Sequence, residues 1–236
     1  MEQQTLKITN VLSDPTRFSI YQFVSKRHGD VTVQEIADNF KIHANVARLH
    51  LTKLEDVKML ISETKKTGKG GRPSRFYRLS EEVISLQFPY RDYQMLSNLA
   101  LETLATFGEE GKKAIKNIGY KYGIEAAKSF LSRVGKDVET LSVEEKMTLV
   151  EQMSNNQGLN PEFHYNDEDK TINFKIYNCT FKELINDHSA TLCIMHHSFL
   201  VGIFTHFFGQ IKLEENELMT EPDCSACSYT TVVIPN

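Results

Sequence analysis

Apolar positions in the first sixty residues recur at helical spacing in three short blocks, the first two opened by a starting signal and the third by a short turn. In LSDPTRFSIYQFV, Asp14 can accept hydrogen bonds from free backbone N–H groups, and Pro15 sits where its missing N–H costs nothing, so a helix begins there. A second helix begins at Thr32, where Glu35 three residues on completes a capping box and Ile36, Ala37 and Phe40 form the buried stripe. The short turn Lys41-Ile42-His43 leads into a third, NVARLHLTKLEDVKML, in which Ala47, Leu51, Leu54 and Val57 share about one third of the circumference. Its opposite face carries Asn45, Arg48, Leu49 and Thr52. Next come Gly68, Gly70 and Gly71, flanked by residues able to alternate as strands. This predicts a β-hairpin whose glycines supply positive φ.

Further along, Leu96, Leu99, Thr103, Leu104 and Phe107 predict a helix within 90–107, and two more are expected over 109–134 and 142–154. Ser142 with Glu145 gives the last of these a capping box. PEFHYNDEDKTINFKIYNC reads as strand, turn and strand, with the turn at 166–170 and Ile172, Phe174 and Ile176 alternating on one face. A helix from about Thr180, most apolar between Leu192 and Phe208, and two short strands near 211–213 and 229–234 close the chain. The expected class is α+β: an N-terminal winged helix-turn-helix domain over 1–88, a helical connector or dimerisation region over 89–157, and a C-terminal α+β sensor domain over 158–236.

Charge sharpens this picture. Residues 1–80 hold 14 Lys/Arg against 8 Asp/Glu, whereas the remaining 156 hold 13 against 23. A basic third on an acidic body points to a nucleic-acid reader joined to something else. The opening residues lack the apolar core of a leader, and the 192–208 segment, interrupted by His196, His197 and His206, is short for a membrane span. The expectation is a cytoplasmic protein with no membrane partner, whose four cysteines do not form structural disulfides.

A helix-turn-helix pair also occurs in proteins that never touch DNA, and a basic run often only solvates a surface. The order of helix, helix-turn-helix and Gly/Arg hairpin, together with the charge split, favours double-stranded DNA. On the third helix Arg48 can pair bidentately with guanine and Asn45 with adenine, with Leu49 and Thr52 beside them. In the hairpin Lys65, Lys66, Lys69, Arg72 and Arg75 fit a phosphate backbone. The exposed lysines at 112, 113, 116, 121 and 128 are read as solvating a helix. A homodimer on two half-sites is expected from analogy of fold.

All four cysteines lie after residue 178. Cys179 ends a strand, Cys193 falls in or just before the long helix, and Cys224 with Cys227 forms a Cys-x-x-Cys pair before the last strand. Thiolates arriving from three directions suit zinc or an iron–sulfur cluster. Buried free cysteine is also simply a small hydrophobe. His197, one turn after Cys193, is the histidine expected to face the same point, with His196 rotated away by about 100°. No phosphate-cradling glycine loop, Gly-x-Ser-x-Gly elbow or His-Glu-x-x-His pair is present, so an enzyme is not expected.

LSDPTRFSIYQFV, HLTKLEDVKML and GRPSRFYRLS resemble winged-helix regulators of the broad ArsR type. Gly71 to Leu79 followed by Phe88-Pro89-Tyr90, and Asn178-Cys179-Thr180-Phe181, Cys193 and Cys227-Ser228-Tyr229, resemble the subgroup containing the bacterial iron–sulfur-assembly repressor. The resemblance implies a transcriptional repressor holding an iron–sulfur cluster through Cys179, Cys193 and Cys227. Cys224 is an additional thiol, able to serve as a fourth ligand or to replace Cys227. A zinc-binding regulator and a small-molecule-responsive one remain the alternatives.

Overall fold

The computed structural model describes residues 2–65 and 73–233. The chain divides into two compact units, Met1–Arg91 and Asp92–Asn236.

The first unit runs α1 (Glu2–Leu12), α2 (Pro15–Ser25), β1 (Val31–Thr32), α3 (Val33–Phe40), α4 (Ala44–Asp56), β2 (Leu60–Lys65) and β3 (Ser74–Leu79). The starting signals act as the sequence requires. Asp14 Oδ1 accepts from the Arg17 N–H at 2.9 Å, and Thr32 and Glu35 exchange the two bonds of a capping box. Lys41 turns the chain into α4 at a left-handed φ of 54°. Ile20, Val24, Ile36, Ala47, Leu51, Leu54 and Leu60 close one core, and α1 adds Ile8 and Val11 to it. β3 lies between β1 and β2, antiparallel to both, with Leu60 opposite Leu79 and Lys65 opposite Ser74.

The second unit holds α5 (Tyr93–Ala105), α6 (Gly108–Val134), α7 (Val143–Asn156), β4 (Pro161–Asn166), β5 (Thr171–Ile176), α8 (Lys182–Phe208), β6 (Ile211–Glu217) and β7 (Cys227–Val233). The strands form one antiparallel sheet in the order β4-β5-β7-β6. The chain leaves β5, crosses through α8 to β6, and returns so that β7 fills the gap between β5 and β6. Ile172, Phe174 and Ile176 face inward as their alternation required, and Phe174 stacks on Phe163, Phe204 and Tyr229 with ring centroids 5.0–5.1 Å apart. By length and composition, 187–208 resembles a membrane span, but Leu192, Leu200, Ile203, Phe204 and Phe207 are buried in the protein, as in a core helix.

The separate connector expected over 89–157 does not stand apart. Ala127, Phe130 and Leu131 of α6 and Val150 and Met153 of α7 share one core with α8 and the sheet. The joint between α6 and α8 is made by glycine. A Cβ on Gly123 would lie 2.1 Å from the Phe199 carbonyl oxygen, and one on Gly202 would lie 2.2 Å from that of Tyr120. Only glycine lets the two backbones approach so closely.

Candidate functional site

Two separate places in the chain carry candidate chemistry. In the first unit, α4 presents the reading face. Its N-cap is His43, whose Nδ1 accepts from the Asn45 N–H at 3.2 Å. Asn45, Arg48 and Leu49 are exposed and Thr52 is half-buried, while Ala47, Leu51 and Leu54 hold the other side in the core. Arg48 Nη1 donates to Asn45 Oδ1 at 3.4 Å, so the two expected base readers sit together on the first turns of the helix. That is the part of a helix-turn-helix that approaches base edges.

The hairpin cations are arranged less freely than the sequence implied. Arg75 Nη2 donates to both Glu55 carboxylate oxygens, at 2.8 and 2.7 Å, and its Nε donates to Ser62 Oγ at 2.7 Å. Lys65 Nζ meets Asp30 at 2.9 Å and Glu63 at 3.4 Å. Both cations are committed inside the unit, and Arg75 ties the hairpin to the reading helix. A phosphate must compete with these carboxylates for either side chain. Lys66, Lys69 and Arg72 lie outside the described residues. The sequence pattern does not mark Glu55 as an anchor for Arg75, because their pairing depends on the hairpin folding back over α4.

In the second unit, the sheet register brings the cysteines together. Ile176 on β5 pairs with Cys227 on β7, and Cys179 follows three residues beyond Ile176. Cys193 comes from α8. These three thiols line one small cavity of about 20 Å³ with Phe181, Ile185, Leu192, His196, Leu218, Met219, Thr220 and Tyr229. Burial pushes all three thiols up from the ordinary cysteine range, and proximity adds to it for Cys179, beside Cys227, and for Cys193, beside Cys227 and Cys179. Hydrogen bonds work the other way. The Phe181 N–H donates to Cys179, and Cys227 Sγ accepts from the Met219 N–H at 3.3 Å and from the Tyr229 hydroxyl.

Cys224 is half-buried and is not among the lining residues. His197 is not among them either; its Nε2 lies 3.3 Å from the Leu213 carbonyl oxygen. The histidine in the wall is His196, 6% exposed, with its ring edge-on to Phe181 at 5.6 Å. The helical period places His196 about 60° to one side of Cys193 and His197 about 40° to the other. Both lie near the cysteine, and the position of the sheet decides which one enters the cavity. Periodicity alone does not contain that choice.

Among the described residues, no three His, Cys, Asp or Glu side chains stand in a geometry that would hold a single metal ion. A cluster places its thiolates on different iron atoms, so its sulfurs need not converge on one point. The donor set therefore fits a cluster in kind. The space has room for about one water. Seating a larger group requires its wall to yield, and the turn at Leu218, Met219 and Thr220 is the least buried part of that wall.

Residues 12–63, from the end of α1 into β2, match a family described as a helix-turn-helix domain. The match supports a DNA-binding, winged-helix regulator of transcription rather than an enzyme. No curated protein matches the chain.

Proposed function

We propose that this regulator acts as a repressor, binds its operator as a homodimer, and senses redox or iron state through an iron–sulfur cluster held by Cys179, Cys193 and Cys227. The observation that carries this reading is the meeting of three thiols, from the β5–α8 loop, α8 and β7, at one cavity, with hydrogen-bond donors already directed at two of them. Burial keeps thiols neutral, so thiolates become stable there only beside compensating positive charge. When bound, a cluster supplies a centre whose charge and integrity respond to oxidants. The chain's own part is to supply three sulfurs and donate to them from Phe181, Met219 and Tyr229. Ile185, Leu192 and Leu218 help to exclude water.

Pairing is supported by α5, α6 and the turn between them, which leave Met95, Leu96, Leu99, Phe107, Ile118 and Tyr122 between 50% and 64% exposed. Apolar surface of that extent on two adjoining helices fits burial against a second copy. A coupling of about 1–3 kcal/mol between cluster state and operator binding would give a switch of roughly 5- to 150-fold.

The test is iron and acid-labile sulfide analysis of protein purified without oxygen, with its absorbance. Iron and sulfide in equal amounts, with absorbance at about 350–450 nm that oxygen bleaches, are expected of a thiolate-bound cluster. Zinc at about one per chain, indifferent to oxygen, would replace this reading with a zinc-bound regulator.

A further inference from the structure

We infer that His196 is the fourth protein ligand of that cluster, binding iron through Nε2 beside the three cysteines. The inference rests on the iron–sulfur reading above and adds a residue to it. His196 lines the same cavity as Cys179, Cys193 and Cys227. Its ring is 6% exposed, and Nε2 is buried with no hydrogen-bond partner among the described residues. An imidazole nitrogen left so has given up its hydrogen bond to water without replacement, a penalty that leucine or phenylalanine would avoid. The cost becomes intelligible if Nε2 is kept for a ligand that arrives after folding.

The other lining side chains offer less. Tyr229 is engaged with Cys227, Thr220 is exposed, and Met219 presents only a weak thioether. Outside the cavity, His197 is held at the Leu213 carbonyl, and Cys224 belongs to the β6–β7 connector. The chemistry balances simply. Three thiols each release a proton and bind as thiolates, while imidazole binds as a neutral donor with its proton on Nδ1. The protein then contributes three negative charges rather than four.

The experiment is pulsed electron paramagnetic resonance on the full chain, loaded with iron and sulfide without oxygen and grown with ¹⁵N-histidine. The paramagnetic form is generated by one-electron reduction or oxidation. A strong coupling to one histidine nitrogen is expected. It should be lost in His196→Gln and retained in His197→Gln and Cys224→Ser. The wild-type spectrum decides the matter even if His196→Gln folds poorly. An iron-loaded wild type without histidine coupling, or a coupling that persists in His196→Gln, would overturn the assignment and leave the cysteine cluster standing. Protein that takes up no iron would instead overturn the iron–sulfur reading itself.

Discussion

Arg48 and Asn45 are joined by a hydrogen bond on an exposed helix face, and neither is held by a carboxylate in the contacts described. Arg75 differs, because Glu55 already meets its charge. We therefore expect Arg48→Ala to weaken binding to the preferred duplex by about 1–3 kcal/mol while changing binding to random duplex far less. Competition titrations on both duplexes measure this, and equal losses would show that Arg48 does not read bases. His50, on the buried side of the same helix, carries a different expectation. Burial lowers its pKa below the ordinary 6.5, against the opposing pull of Asp14. The folded state then binds fewer protons than the unfolded state, so stability is full above about pH 6.5 and declines as pH falls toward the lowered value. Denaturant unfolding at pH 7.5 and 5.5 should show a smaller acid loss in His50→Gln than in the wild type.

At the scale of elements, the chain announces its helices most clearly where local chemistry decides. Asp14, the Thr32–Glu35 box and the Ser142–Glu145 box each mark a helix start within a few residues, and the structure uses all three. The alternation of Ile172, Phe174 and Ile176 likewise identifies β5 without a partner. What stayed hidden depends on contacts distant in sequence. β1 is two residues long and exists through its pairing with β3. α6 reads as an independent polar helix because its partner, α8, comes about seventy residues later and meets it through glycines. In sequence Gly119, Gly123 and Gly202 look like weak points of helices; in the fold they are the contact. The choice of His196 over His197 was hidden in the same way, by the placement of the sheet. The glycine joint has a measurable consequence. In Gly123→Ala the new methyl meets a backbone oxygen, which cannot rotate aside, so α6 and α8 must part. We expect a loss of about 1–3 kcal/mol, read as a lower urea midpoint. An unchanged midpoint would mean that the helices separate freely.

Over the whole molecule, the division of labour follows charge and sulfur. The basic first eighty residues contain the helix-turn-helix, and the acidic remainder contains every cysteine. Within the second unit, Met195 packs its carbonyl against Gly119 one residue before His196, so the wall of the cavity and the crossing of α6 and α8 are mechanically continuous. A group seated among the cysteines would press on the same pair of helices that carries part of the exposed apolar surface. On the reading proposed above, the state of this cavity changes how tightly the chain binds DNA. The coupling is measured with a duplex selected from a random library by iron-loaded protein under anaerobic conditions. Titrating that duplex with iron-loaded and iron-stripped full-length protein at one salt concentration should give saturable binding that heparin does not abolish, with affinities differing at least about fivefold between the two forms. Equal affinities in both forms, or no duplex preferred over heparin, would mean that the cavity does not govern specific DNA binding.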